Sequence, residues 1–151
     1  MQTSVKETII DPLSHTAVNF LQNDMSIEDV KAVELKKVEP KKYFSTVVYS
    51  GVANMTVVCI IDEDLLKTVF KMFIPYSLSS SETREMIKEM PNEVINIIAG
   101  LSIAKFPKPY DELEMTPPSA TSKEYIEELL SKDFIGKKIE TSKGDMQLLI
   151  V

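Results

Sequence analysis

An α+β fold, a mostly antiparallel sheet with long helices packed on one face, is predicted by three features of this chain. Strand-like and helix-like segments come in blocks rather than in strict alternation, which disfavours a parallel βαβ architecture. The runs 43–49 and 54–61 are rich in β-branched and aromatic residues and are joined through Ser50-Gly51, the pattern of an antiparallel hairpin. Two later segments, 62–74 and 81–106, each carry a single apolar stripe at helical spacing.

Taken in order, Asp11-Pro12 has the chemistry of an N-cap followed by Pro at the first helical position, and Leu13, Ala17, Phe20 and Leu21 form one stripe. A helix over 12–23 is expected. Residues 30–38 alternate in part like a half-buried strand, followed by the hairpin. Asp62-Glu63-Asp64 places acids where the helix dipole favours them, ahead of Leu65, Leu66, Val69, Phe70 and Phe73. Ser80 or Ser81 is the expected cap of the long helix that ends near Phe106-Pro107. Pro91 should kink that helix by removing the bond to the Ile87 carbonyl, or restart it just before Glu93. Residues 107–120 are proline-rich and read as extended. A short helix is expected over 124–131, with Tyr125, Leu129 and Leu130 on one face. A terminal hairpin, 134–140 with 146–151, turns around Ser142-Lys143-Gly144-Asp145.

The chain has 151 residues, enough for one domain (1–151) that buries about two-thirds of the surface its unfolded form exposes. A net charge of -6 and a pI near 4.9 argue against nucleic acid as the main partner, because phosphate binding needs a basic footprint. The local lysines (Lys36, Lys37, Lys41, Lys42, Lys137, Lys138) alternate with Glu and read as solvated strand ends. Cys59 is the only cysteine and lies in an apolar strand, which leaves no intramolecular disulfide and no cysteine-rich metal site. His15 is the only histidine, and it sits in an early helix. A Ser-His-Asp triad and a multi-histidine metal site are therefore not expected. The start, Met1-Gln2-Thr3-Ser4-Val5-Lys6, does not read as a signal peptide, and no apolar run approaches the roughly 20 residues of a membrane span. A cytoplasmic protein without a membrane partner is expected.

Val57 to Asp64 is an apolar strand ending in Asp-x-Asp, similar to the start of a haloacid-dehalogenase-type phosphatase. That family continues with Thr or Val two residues after the second Asp, where this chain has Leu66. Helix capping accounts for both aspartates with fewer assumptions. No phosphate-cradling Gly loop, dinucleotide fingerprint or kinase signature is present.

What remains is Glu93-Val94-Ile95-Asn96-Ile97-Ile98-Ala99-Gly100. Positions i and i+3 are neighbours on a helix, so Glu93 and Asn96 project together. At about 100° per residue, Met86, Met90, Val94, Ile97, Ile98 and Leu101 fall in one arc, and Glu82, Glu85, Glu89, Glu93, Asn96 and Gly100 in the next. A merely solvated edge has no need of two poor helix formers. Asn competes for backbone hydrogen bonds, and Gly costs roughly 1 kcal/mol against Ala. A face that another backbone or a partner must approach closely does need them. The overlapping pair Glu89/Asn92 rotates off the polar arc and lacks the apolar continuation.

The Glu93/Asn96 helix resembles the site of the CheX/CheC family of bacterial chemotaxis phosphatases, which is marked by Asp/Ser-x-x-x-Glu-x-x-Asn and a proline further on. Here Glu93 and Asn96 match, Pro117 and Pro118 lie near where the downstream proline belongs, and the upstream Asp/Ser position is Glu89. CheC-like members carry two such sites. No second one is found in the early helices, so the likeness is to CheX-like members. The resemblance implies a phosphatase that hydrolyses the phosphoaspartate of a CheY-like response regulator. Asn96 would orient the water and Glu93 would pair with a lysine of the partner. Glu89 and Gly100 are the further candidate partner-binding positions. The chain itself would bind no cofactor or metal, the Mg²⁺ being the regulator's. A homodimer is also implied, formed through a sheet edge supplied by the strand at 30–38 or by the terminal hairpin. The alternative is the same fold as a non-catalytic module that docks a response regulator or dimerises.

Overall fold

The computed structural model describes residues 4–118 and 122–151. Its first helix, α1 (Val5–Asn19), is capped by Ser4, whose hydroxyl accepts from the Glu7 backbone N–H at 3.2 Å. It thus starts earlier than Asp11-Pro12 suggests and carries Pro12 inside it. Ile9 and Ile10 are buried together with Leu13 and Ala17. Full burial of each isoleucine contributes about 1.5–3 kcal/mol, which together offsets the ~3 kcal/mol cost of an internal proline. The helix closes in a π-helical turn, Phe20–Asp24, where the Met25 N–H reaches the Phe20 carbonyl at 3.0 Å.

Among the described residues six strands follow: β1 (Lys31–Glu34), β2 (Tyr43–Ser50), β3 (Met55–Ile61), β4 (Glu114–Met115), β5 (Ile135–Thr141) and β6 (Gly144–Ile150). They form one sheet in the order β1-β5-β6-β3-β2-β4, with every neighbouring pair antiparallel. The register sets Val47 opposite Val57 and Cys59 opposite Leu148. Gly51 and Gly144 begin the two hairpin returns at φ +117° and +126°, where an L side chain is strained. The terminal hairpin is interior, with β5 paired to β1 and β6 to β3, so it cannot supply a free sheet edge. The edges are β1, shorter than the 30–38 expected, and the two-residue β4.

Alternation splits the sheet into two faces. Val47, Tyr49, Val57, Cys59, Ile61, Leu148 and Ile150 point into the main core with α1, α2 (Glu63–Phe73) and α3 (Ser80–Ile103). On the other face Val58, Ile60 and Leu149 pack with Leu35 and with Ile126 and Leu129 of α4 (Lys123–Leu130). The two long helices therefore share one face, as expected, and the short helix covers the other. In the proline-rich stretch a 3-10 turn (Tyr110–Glu112) precedes β4. The end of that expected extended segment, Ser119 and Ala120, lies outside the described residues, as do the first three residues of the chain. Among the described residues no helix is long and apolar enough to cross a membrane.

Candidate functional site

The candidate site is the outward face of α3. The helix begins with a capping box: the Ser79 hydroxyl accepts from the Glu82 N–H at 3.2 Å, and Glu82 Oε1 accepts from the Ser79 N–H at 3.3 Å. The cap is thus Ser79 rather than Ser80 or Ser81. From there α3 runs without a restart through the buried Pro91, so Glu93 and Asn96 lie on one continuous helix.

The buried side of α3 is rotated from the arc read off the sequence. Met90, Val94 and Ile98 are buried as expected, but Ile97 is only half-buried, and Met86 and Leu101 are 37% and 55% exposed. Ile87, Pro91, Ile95, Ala99 and Ser102 take the interior instead. The helix packs on β2 and against both α1 and α2, so its contact surface is broader than one stripe. The polar row is unaffected. Glu82, Glu85, Glu89, Glu93 and Asn96 are all exposed, and Gly100 is half-exposed.

Within that row the acids differ in one respect. Glu82 is held in the capping box, Glu85 pairs with Lys88 at 3.1 Å, and Glu89 Oε2 accepts from Asn92 Nδ2 at 3.2 Å. Among the described residues Glu93 and Asn96 alone of the row's polar side chains have no hydrogen bond or ion pair. Both stand exposed on the helix surface. Gly100 is not required by packing within the chain: a Cβ there would meet only Met115 Cε, at an ordinary 3.6 Å.

Asn92, set aside in the sequence as off the polar arc, is half-buried and bonded on both sides. The hydroxyl of Ser45, on the core-facing side of β2, donates to Asn92 Oδ1 at 2.5 Å. The signal that could have found it is the strand pattern Tyr43, Ser45, Val47, Tyr49, in which one core-facing position is polar.

The Asp62/Asp64 pair behaves differently from either sequence reading. Asp62 stands at the N-cap position of α2 but makes no capping bond. Its Oδ2 accepts from the Asp145 backbone N–H at 2.8 Å, and its Oδ1 pairs with Lys41 at 3.3 Å, holding that ammonium above its ordinary range. Burial raises the neighbouring Asp145 carboxyl, an effect that Lys138 opposes. Asp62 Oδ2 thus clamps the β5–β6 turn to the head of α2, while Oδ1 holds Lys41 from the segment ahead of β2. A groove of about 640 Å³ beside them is lined by Lys41, Lys67, Lys71 and Lys143 and contains none of the α3 site residues. Among the described residues no cluster of three or more His, Cys, Asp or Glu side chains could hold a metal ion.

A family model described as chemotaxis phosphatase CheX matches residues 43–141, a span that holds β2 through β5 and all of α3. The chain is similar to the CheX–CheY–BeF3–Mg²⁺ complex from Borrelia burgdorferi at 18% identity and TM-score 0.70, covering 95% of this chain and 96% of that one. It is similar to the chemotaxis protein CheX of Vibrio vulnificus at 15% identity and TM-score 0.69, over 94% and 97% of the two chains. For the CheX of Desulfovibrio desulfuricans the values are 16% and 0.62, over 95% and 97%. At these identities the likeness shows the fold. No curated protein matches the sequence.

Proposed function

The chain belongs to the CheX family of chemotaxis phosphatases, and from that premise we propose that it hydrolyses the phosphoaspartate of a CheY-like response regulator, with Glu93 and Asn96 acting from the face of α3. The observation that carries this reading is the selective freedom of those two side chains. Every other acid of the polar row has an intramolecular partner, and these two await one.

The chemistry suits so spare a site. Water attacks phosphorus, the bond from phosphorus to the aspartyl oxygen breaks, and inorganic phosphate and a free carboxylate leave. An acyl-phosphate is already reactive, so the catalyst's task is positioning and charge stabilisation. The Asn96 carboxamide has no useful basicity at neutral pH. It serves by holding the water in line through its N–H and C=O groups. Glu93 pairs with a lysine of the regulator and fixes the register of the two surfaces. The Mg²⁺ belongs to the regulator's own phosphorylation site, and no cofactor is assigned to this chain. The Borrelia complex, which contains CheY, BeF3 and Mg²⁺ together with CheX, supports a regulator of that kind as the partner. The protein works in the cytoplasm, where such regulators are phosphorylated, and as a homodimer.

The test is the lifetime of the phosphorylated regulator encoded nearest this gene, with and without the protein. Accelerated decay is expected. Demonstrable binding without acceleration, across every regulator of the same cell, overturns catalysis in favour of a non-catalytic docking module. Glu89 at the position where the family has Asp or Ser is the observation that favours that second reading.

A further inference from the structure

A continuous hydrogen-bonded path runs from the sheet to the docking face. Ser45, 1% exposed on β2, donates to Asn92 Oδ1 at 2.5 Å, and Asn92 Nδ2 donates to Glu89 Oε2 at 3.2 Å. We propose that Ser45 and Asn92 are positioning residues that hold the Glu89 carboxylate in a fixed orientation on the α3 face, making it a second, preorganised contact for a cationic side chain of the partner. The inference rests on the reading of α3 as a regulator-docking surface.

The chemistry of the path has one consistent direction. An ionised carboxylate only accepts, so the group facing Glu89 must be the Asn92 NH₂. That leaves the amide oxygen facing inward, where only a donor satisfies it, and the Ser45 hydroxyl is one. The serine is rigid because its strand is: Ser45 pairs with Cys59 in the middle of the β2–β3 ladder. Glutamate on an exposed helix ordinarily samples several rotamers, and ordering one on binding costs side-chain entropy. A carboxylate already tethered to a half-buried amide avoids part of that cost.

The surroundings fit a contact role rather than a purely internal one. Glu89 stays exposed in spite of its bond, so its remaining lone pairs face solvent. It lies one turn before Glu93, the unpartnered acid, on the same arc. The exposed Met86 and Leu101 and the half-buried Ile97 border this acidic row along one side. The partner surface that fits presents two basic side chains about one helical turn apart beside an apolar ridge.

The experiment is a double-mutant cycle on Glu89 and Asn92, with Ser45→Ala as a further arm, read as affinity for the regulator by calorimetry. The free protein is followed in parallel through the Asn92 side-chain amide resonances. Asn92→Ala and Ser45→Ala should each weaken docking by roughly 3–10-fold, and should weaken it no further once Glu89→Ala is present. In the free protein both Ser45→Ala and Glu89→Ala should shift the Asn92 amide pair. Equal penalties with and without Glu89, or none, overturn the proposal. So do Asn92 resonances that ignore both substitutions, an arm that tests the Ser45–Asn92–Glu89 path by itself, without any regulator. A wild-type protein that docks without accelerating dephosphorylation sinks the catalytic reading alone and leaves this one to the cycle.

Discussion

The hydroxyl of Tyr49 donates to the backbone carbonyl of Ala99 at 2.6 Å, tying the end of β2 to the last turns of α3 beside Gly100. Tyr49 is fully buried, and its ring meets Phe106 edge-on at 5.6 Å between centroids. The bond fixes α3 at its C-terminal end as Ser45–Asn92 fixes it near its middle, so the outward face between them is carried on two anchors.

Tyr49→Phe keeps the ring contact and removes only the hydroxyl bond. It should lower stability by about 0.5–1.5 kcal/mol, a fall of roughly 1–6 °C in midpoint for a chain of this size, with folding still cooperative. Thermal unfolding followed by circular dichroism checks it. An unchanged midpoint would mean that the Ala99 carbonyl is served equally well without the phenol.

Two buried acids make the fold sensitive to alkali. Burial pushes the Cys59 thiol from 9.0 up to about 12 and moves the Tyr49 phenol above its ordinary 10.0. Above pH 9.0 the unfolded chain begins to lose the thiol proton while the folded one keeps it until about pH 12. The folded state then holds more protons, so stability falls as pH rises. The contribution is complete below pH 9.0 and lost on the way to about pH 12, at up to about 1.4 kcal/mol per pH unit for each group. Denaturant titrations from neutral to alkaline pH should show this decline, and Cys59→Ala should flatten it despite its lower neutral stability. An identical alkaline slope in that variant would refute the assignment.

Most of the architecture is legible because it is written in local chemistry. The hairpin shows in β-branched runs around Gly51, and α3 shows in the row from Glu82 to Gly100. What the sequence hides depends on partners far along the chain. Asp62 looks like a cap, and only the fold reveals Asp145 and Lys41 as its partners. Asp11-Pro12 looks like a helix start, but burial of Ile9 and Ile10 carries α1 past it. The rotation of α3 that exposes Met86 and Leu101 follows from its packing on two helices as well as a strand. Of the candidate site, spacing puts Glu93 and Asn96 side by side, whereas the place of Asn92 is readable only with Ser45 beside it.

Gly100→Ala separates stability from docking. The new methyl meets only Met115 Cε at 3.6 Å, so nothing within the chain resists it. An alanine in the helix interior should add roughly 1 kcal/mol of stability. Under the proposed function the same methyl stands on the contact face and should raise KM for the phosphorylated regulator. A more stable protein with unchanged KM would show that the glycine serves no partner.

The dimer prediction now points to one edge. With the terminal hairpin interior, β1 is the longer of the two free edges, and an unpaired edge is a liability that pairing with a second copy removes. Light scattering at tens of micromolar protein should give about twice the 17.0 kDa of one chain. A mass of one chain counts against the dimer without touching the site on α3.

Glu93 and Asn96, the two unpartnered side chains of the polar row, should fail in different ways when removed. An oriented water matters only in the transition state, so Asn96→Ala should lower kcat by roughly 10²-fold and leave regulator affinity nearly unchanged. Glu93→Ala removes a charge used both to dock and to set register, so it should raise KM and lower kcat together. Salt should mimic the first of these two effects, because an exposed ion pair is screened. The measurements are phosphoregulator decay over a range of regulator concentrations, and binding of the unphosphorylated regulator by calorimetry. If Asn96→Ala weakens binding as much as it slows decay, the carboxamide is a docking group and the water must be held by some other side chain. If Glu93→Ala lowers kcat alone, the carboxylate belongs to the chemistry rather than to the contact.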